Sequence, residues 1–196
     1  YETQAREQGY TAVCGCDEAG AGPLAGPVYA GAVILPFGVE IPGLDDSKKL
    51  TEKKREALFP LIQQSALAWS VARVEAEEID RTDILSAPIR AMQLAIEGLS
   101  LRPDFALIDG NRDHGRSAAI TVPHWCVVKG DSISPSIAAA SILAKVSRDR
   151  FMLEMAKEYP QYAFERHKGY GTKLHYERLR EYGPSPIHRR SFLKNL

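Results

Sequence analysis

Carboxylates stand at the ends of three short apolar runs, an arrangement by which distant parts of a chain can assemble one reactive centre. Asp17 and Glu18 close the run 12–17, Asp109 closes 105–109, and Asp131 follows 125–128 through Lys129-Gly130. If these runs are neighbouring strands, their ends gather the four acids at one edge of a sheet. Clustered carboxylates raise one another's pKa unless a cation neutralises them. An all-oxygen donor set suits a hard ion, magnesium or manganese, rather than zinc. Two such ions about 4 Å apart stabilise the attacking water and the leaving oxygen in phosphodiester cleavage.

Each acid also has a plainer reading. Asp109 before Gly110-Asn111 is a turn former, and Asp131 complements the N-terminus of a helix beginning at Ser134-Pro135. Consecutive strand residues point to opposite faces, so Asp17 and Glu18 share a site only where the strand ends or bulges. Gly20 and Gly22 make such a departure possible. Taken singly, the acids leave both readings open.

The elements that must position them follow from periodicity. The run 12–17 reads as a short strand, separated by a Gly/Pro-rich turn at 20–27 from a wholly apolar strand at 28–35. Thr51 caps a helix from 52 towards 66, with Pro60 expected to kink or stop it. A third strand is expected at 67–74. Asp83 is expected to cap a helix whose apolar positions Ile89, Met92, Ala95, Ile96 and Leu99 repeat at helical spacing. Strands at 105–109 and 125–128 precede a long helix capped by Ser134 and reaching about Tyr159. Arg148, Asp149 and Arg150 are expected to form a surface charge cluster on it, and a further helix is expected near 173–181. A hairpin followed by alternating helices and strands indicates a mixed α/β sheet. The expected division is a catalytic domain at 1–158 with a small helical extension at 159–196.

Composition excludes several classes. The chain has 196 residues, 44% of them hydrophobic and 26% charged, too apolar for a disordered protein and ample for a core. The net charge is zero, yet residues 1–100 carry 9 basic and 15 acidic side chains and residues 101–196 carry 16 and 10. The basic half, which also holds all 5 histidines, hints at a polyanionic partner. Cys14, Cys16 and Cys126 have no metal-ligand spacing, and are expected as thiols in a reducing compartment, the first two as small buried hydrophobes. The stretch 19–39 is uncharged, but its five glycines and three prolines suit a turn and a buried strand rather than a membrane helix. A soluble, cytoplasmic protein acting as a monomer is the expectation.

Blocks spread over the chain resemble one family. Cys14-Gly15-Cys16-Asp17-Glu18-Ala19-Gly20-Ala21-Gly22-Pro23 is similar to the opening motif of bacterial ribonuclease HII. The resemblance continues in Asp46-Ser47-Lys48-Lys49-Leu50, Leu107-Ile108-Asp109-Gly110-Asn111 and Val128-Lys129-Gly130-Asp131. It runs on through Ala138-Ala139-Ala140-Ser141, His167-Lys168-Gly169-Tyr170 and His188-Arg189-Arg190-Ser191-Phe192. It implies a ribonuclease H-like fold, and cleavage of RNA in RNA–DNA hybrids and 5′ to ribonucleotides embedded in duplex DNA. Asp17, Glu18, Asp109 and Asp131 become, by resemblance, the catalytic carboxylates that bind magnesium or manganese. Tyr170 is implied to stack on the sugar at the junction. The Gly20-Ala21-Gly22 turn is implied to read the 2′-hydroxyl through its backbone, and Lys48, Lys49 and Lys168 to face nucleic acid. On the residues alone, Lys48 and Lys49 also fit a solvated surface pair, and Tyr170 a structural tyrosine.

The chain departs from the family pattern at Ala21, where a basic residue is usual. Losing that side chain removes a phosphate or junction contact while the backbone donors survive. A weakened or inactive nucleic-acid-binding variant is therefore the competing reading.

Overall fold

The computed structural model describes residues 1–110 and 119–194. Asn111, quoted above in a motif, lies outside them. Five strands form one sheet in the order β3-β2-β1-β4-β5. They are β1 (Val13–Ala19), β2 (Val28–Ile34), β3 (Ala68–Val74), β4 (Phe105–Asp109) and β5 (His124–Val127). β1 to β3 form an antiparallel meander, whereas β4 and β5 run parallel to β1. This is the expected mixed sheet, flanked by helices, of the ribonuclease H-like class.

The helices are α1 (Glu2–Glu7), α2 (Glu52–Ser65), α3 (Ala76–Arg81), α4 (Ala87–Glu97), α5 (Pro135–Glu158), α6 (Phe164–His167) and α7 (Lys173–Tyr182). One sheet face, carrying Cys14, Cys16, Ala30, Ala32 and Ile108, packs against Ala91, Met92 and Ala95 of α4. The other face receives α5 and, beyond it, α2. Cys14 and Cys16 are buried free thiols in this core, as expected, while Cys126 is exposed. The approach of α5 is close because the strands beneath it carry glycine. A Cβ on Gly15 would lie 2.2 Å from the Ser136 carbonyl carbon, and one on Gly31 2.4 Å from the Ala140 oxygen. Van der Waals contact needs well over 3 Å, so any side chain there would lift α5 off the sheet.

Ser134 caps α5 as expected, its hydroxyl accepting from the Ile137 N–H at 3.2 Å. Elsewhere tertiary packing overrides local signals. Pro60 does not stop α2, which runs on to Ser65 because Leu58, Phe59 and Ile62 are buried against α5; that burial outweighs one lost backbone bond. β1 continues past Asp17, because its pairing with β2 extends to Ala19↔Tyr29. Asp83 sits one turn earlier than expected, accepting from the Ser86 N–H, and the helix itself starts at Ala87. Arg148 and Asp149 are not on the surface: Arg148 is 0% and Asp149 6% exposed. Asp149 is ion-paired to Lys145 at 2.7 Å and to Arg55 at 3.7 Å.

After α5 the chain folds back over its C-terminal half. Tyr162, Phe164 and Leu179 bury Leu24, Ala25 and Met152. The loop after β1 is stitched to this segment by Leu24 N–H to Gly169 O and Arg189 N–H to Leu24 O, both 2.8 Å. Asp80 of α3 fastens the end of the segment by accepting from the backbone N–H groups of Arg190 and Ser191 at 2.8 and 2.9 Å. Among the described residues no helix is long and apolar enough to cross a membrane.

Candidate active site

The strand alternation decides which acids meet. Val13, Phe105 and Leu107 lie on the α5 face with Ile137, and a period of two puts Asp17 and Asp109 on that face as well. The parallel register Cys16↔Ile108 sets the two aspartates side by side just beyond the last paired residues. Asp131 arrives from above, in the turn Gly130–Ser132 that leads into α5. Lys129 adopts a left-handed φ of 53° to make that turn. Gly130 is needed next, because a Cβ there would lie 2.5 Å from Ile137 Cδ1 and 3.2 Å from Asp109 Oδ1. The Asp131 N–H then donates to Asp109 Oδ1 at 3.2 Å.

Carboxylate oxygens of Asp17, Asp109 and Asp131 all lie within 4.8 Å of one another. Glu18, on the opposite pleat, stands outside this group of three and its backbone N–H donates to Asp17 Oδ1 at 2.7 Å. The electrostatics are those of uncompensated negative charge. Burial, then the charges of Glu18 and Asp109, push the Asp17 carboxyl well above its ordinary range. Burial and Asp109 raise Glu18, and burial raises Asp109. Burial, followed by Asp109 and Asp46, raises Asp131. Lys48 leans over the cluster with Nζ 3.7 Å from Asp131 Oδ2. Partial burial opposes its charge, but Asp17, Asp131 and Asp46 prevail and raise its pKa.

The remaining residues singled out in the sequence form the surroundings. Lys49 Nζ donates to Asp45 Oδ1 and Ser132 Oγ at 3.2 and 3.0 Å. Lys48, Lys49, Lys129, Asp109 and Asp131 line an open cleft of about 660 Å³. The 20–22 turn follows β1 directly, and Tyr170, 43% exposed, stands beside it. A Cβ on Gly22 would reach only the Tyr170 ring, at 3.9 Å. Lys168 is half-buried, its Nζ donating to the Glu165 carbonyl at 2.6 Å.

Two arginines have roles that the sequence reading did not assign to them. Arg189, 0% exposed, donates from Nη1 to Ala21 O at 2.8 Å, from Nη2 to Gly20 O, and from Nε to Gly26 O at 3.0 Å. Arg148 donates to the carbonyls of Ala25, Pro27 and Lys168 at 2.9, 3.1 and 2.9 Å. In a trans peptide the N–H points opposite to the preceding C=O. Drawing the Gly20 and Ala21 carbonyls inward onto Arg189 therefore turns the amides of Ala21 and Gly22 away from it, outward. Burial, then the neighbouring Arg148, pulls Arg189 down to about 9. The one available signal was an arginine amid the otherwise apolar positions of α5, which its neighbours Asp149 and Arg150 disguised as surface charge.

A mixed sheet whose adjacent strands β1 and β4 bring Asp17 and Asp109 together, with Asp131 added from the turn before α5, defines a ribonuclease H-like nuclease. The ribonuclease HII family model matches residues 14–195. Ribonuclease HII of Caldicellulosiruptor saccharolyticus is 52% identical over 190 residues, covering 97% of this chain and 91% of that protein. The Aliivibrio fischeri protein of the same name is 55% identical over 185 residues, 94% and 87% of the two chains. Among solved structures, ribonuclease H2 from Pyrococcus horikoshii superposes with a TM-score of 0.77 at 27% identity, covering 92% and 93%. The chain belongs to the ribonuclease HII family, and is a ribonuclease H endonuclease.

Proposed function

We propose that the protein is a metal-dependent endonuclease that cleaves the RNA strand of RNA–DNA hybrids and cuts 5′ to ribonucleotides embedded in duplex DNA. The observation that carries the metal-dependent reading is the set of three mutually close aspartates, Asp17, Asp109 and Asp131. Its donors are all oxygen and its charge is repulsive as it stands, which fits magnesium or manganese. When bound, such ions supply charge stabilisation at the attacked phosphate. Asp17, Asp109 and Asp131 hold them, and Glu18, electrostatically tied to Asp109, completes the set from the neighbouring position. Water attacks phosphorus in line with the departing 3′-oxygen, leaving a 3′-hydroxyl and a 5′-phosphate.

Substrate selection falls to the neighbouring loop and to the extension at 159–196. The outward amides of Ala21 and Gly22 are suited to a 2′-hydroxyl, the group that separates RNA from DNA. Tyr170 offers an exposed ring beside them for stacking on the junction sugar. Lys48, Lys49 and Lys168 supply positive charge for phosphates.

A gel assay on labelled duplex DNA containing one ribonucleotide tests the reading, with magnesium and then manganese, beside an all-DNA duplex and an RNA–DNA hybrid. A cut 5′ to the ribonucleotide, absent from all-DNA, is expected. Cleavage of the hybrid alone would remove the junction reading and implicate Ala21. No cleavage of either substrate with either ion would overturn the proposal in favour of a binding module.

A further inference from the structure

The nuclease chemistry leaves the buried histidines of the C-terminal segment without a role. His167, His175 and His188 are 7%, 0% and 2% exposed. Their hydrogen-bond partners fix every ring proton. A carbonyl only accepts, so His175 Nδ1 carries the hydrogen in its 2.9 Å contact with Tyr170 O. Neutral His175 then presents a bare Nε2, and His188 Nε2, 2.9 Å away, donates to it. His188 Nδ1 is consequently bare, and accepts from the Ser185 N–H at 2.9 Å and from the Ser185 hydroxyl at 2.7 Å. A proton added to His175 would force the opposite tautomer on His188 and aim its Nδ1–H at the Ser185 N–H. The neutral pair alone satisfies all these contacts.

His167 belongs to the same assembly. It donates from Nε2 to Tyr162 O at 2.9 Å, accepts the Gly169 N–H at 3.1 Å, and stacks on His175 at 4.2 Å. Burial, above all, lowers His175 to about 4 and His188 to about 3. The charged groups nearby are Glu165, Arg166 and Lys168 around His167, and Arg190 near His188.

Tyr170 is what this chain of imidazoles ends on. Its backbone follows two left-handed residues, Lys168 at φ 51° and Gly169 at φ 89°. Its carbonyl takes both the His175 imidazole and the Thr172 N–H, the latter at 2.8 Å. Gly22 brings no side chain to the exposed ring, and the buried Arg148 guanidinium lies 5.8 Å from its centroid, so the ring is directed from beneath, by Arg148 and by the anchoring of its own backbone.

We propose that His175 and His188 are positioning residues for Tyr170, forming a fixed neutral imidazole relay that ties the Tyr170 carbonyl to Ser185 and thereby aims the ring at the nucleic-acid cleft. This rests on the reading of Tyr170 as a junction contact. The whole protein is assayed on the single-ribonucleotide duplex and on a long hybrid, comparing Tyr170→Ala, His188→Leu and His188→Gln. Glutamine places an amide donor where Nε2–H stood. A base or sugar platform is worth about tenfold in binding. Hence His188→Leu is expected to raise KM on the single-ribonucleotide duplex by roughly that factor, with kcat within about twofold. The long hybrid, offering many registers, should change by less than about threefold, and His188→Gln should recover most of the loss. Nitrogen-15 spectra should show neutral His175 with Nδ1–H and neutral His188 with Nε2–H at about pH 5.5, a unit below the ordinary histidine value.

If Tyr170→Ala leaves junction cleavage unchanged, the tyrosine reading itself fails. If Tyr170→Ala raises KM but His188→Leu does not, the relay alone fails. Equal losses on both substrates that glutamine does not restore would make the histidines mere packing and overturn the proposal. So would a charged imidazole at His175 or His188 in the spectra.

Discussion

Asp17 and Arg189 are both buried ionisable groups touching the start of one loop, yet their surroundings differ in kind. Asp17 faces two further aspartates and a half-buried glutamate, and its nearest cation, Lys48, hangs from a mostly exposed side chain. Arg189 faces carbonyls: those of Gly20, Ala21 and Gly26 meet its guanidinium, and Arg148 does likewise with Ala25, Pro27 and Lys168. Charge left uncompensated by the protein marks a place for something from outside. Charge fully met by backbone marks architecture, here the architecture of the loop that follows the catalytic strand. A buried charge is therefore informative only together with its partners.

Substitutions in the two regions should break in different currencies. Asp109→Asn is expected to lower the cleavage rate on an RNA–DNA hybrid by about a thousandfold or more. Its melting temperature in chelator should be no lower than that of the parent, since a repulsive charge is removed. A variant cleaving at near-parental rate would end the assignment of Asp109. Arg189→Met should do the reverse, costing about 3–5 kcal/mol of stability by orphaning buried carbonyls around an apolar side chain. Urea unfolding would measure this, and a loss under 1 kcal/mol would show that the loop holds itself.

Acid separates the regions again. With folded values of about 4 and 3 for His175 and His188 and an unfolded value of about 6.5, the unfolded chain binds more protons below 6.5. Stability is thus intact above about pH 6.5 and falls towards pH 4, at up to about 1.4 kcal/mol per pH unit for each group. Asp17 and Glu18, raised in the fold chiefly by burial, bind protons more readily in the folded than in the unfolded chain and so oppose the loss. The clean measurement is the difference from His188→Gln, whose stability should decline less between pH 6.5 and 4; parallel profiles would show that His188 is not held neutral. The smallest effect is expected for Ala21→Arg, a gain of about threefold to tenfold in affinity for the single-ribonucleotide duplex with a steeper salt dependence. Unchanged affinity and unchanged salt slope would show that the loop works through its backbone alone.

Strand-end acids were legible in the sequence because each stands at a break between an apolar run and a glycine. Four of the five strands and the long α5 were legible for the related reason that their periodicity and caps are local. The fifth, β1, was read two residues short, since its extension depends on β2 and not on its own residues. Arg148 was misplaced because a helix position says nothing about a loop that closes over it 121 residues away in sequence, as Pro27 does. Pro60 misled for the same reason, its helix being held by α5 rather than by propensity. The tautomer chain through His175 and His188 was invisible, since it exists only once α7 and the segment after it are brought against each other.

Asp80 has a consequence for how the molecule comes apart. This one carboxylate of α3 holds the amides of Arg190 and Ser191, while Leu24 O accepts from the Arg189 N–H and the Gly26 N–H donates to Ile187 O. The Leu24 N–H also donates to Gly169 O, so the part that carries Tyr170 is held both beside that tyrosine and at 187–191 by the part that carries the aspartates. Such a double clasp ties the segment and the sheet into one cooperative transition, so calorimetry should record a single heat-absorption peak, and the surface proposed to face nucleic acid should melt only when the sheet does.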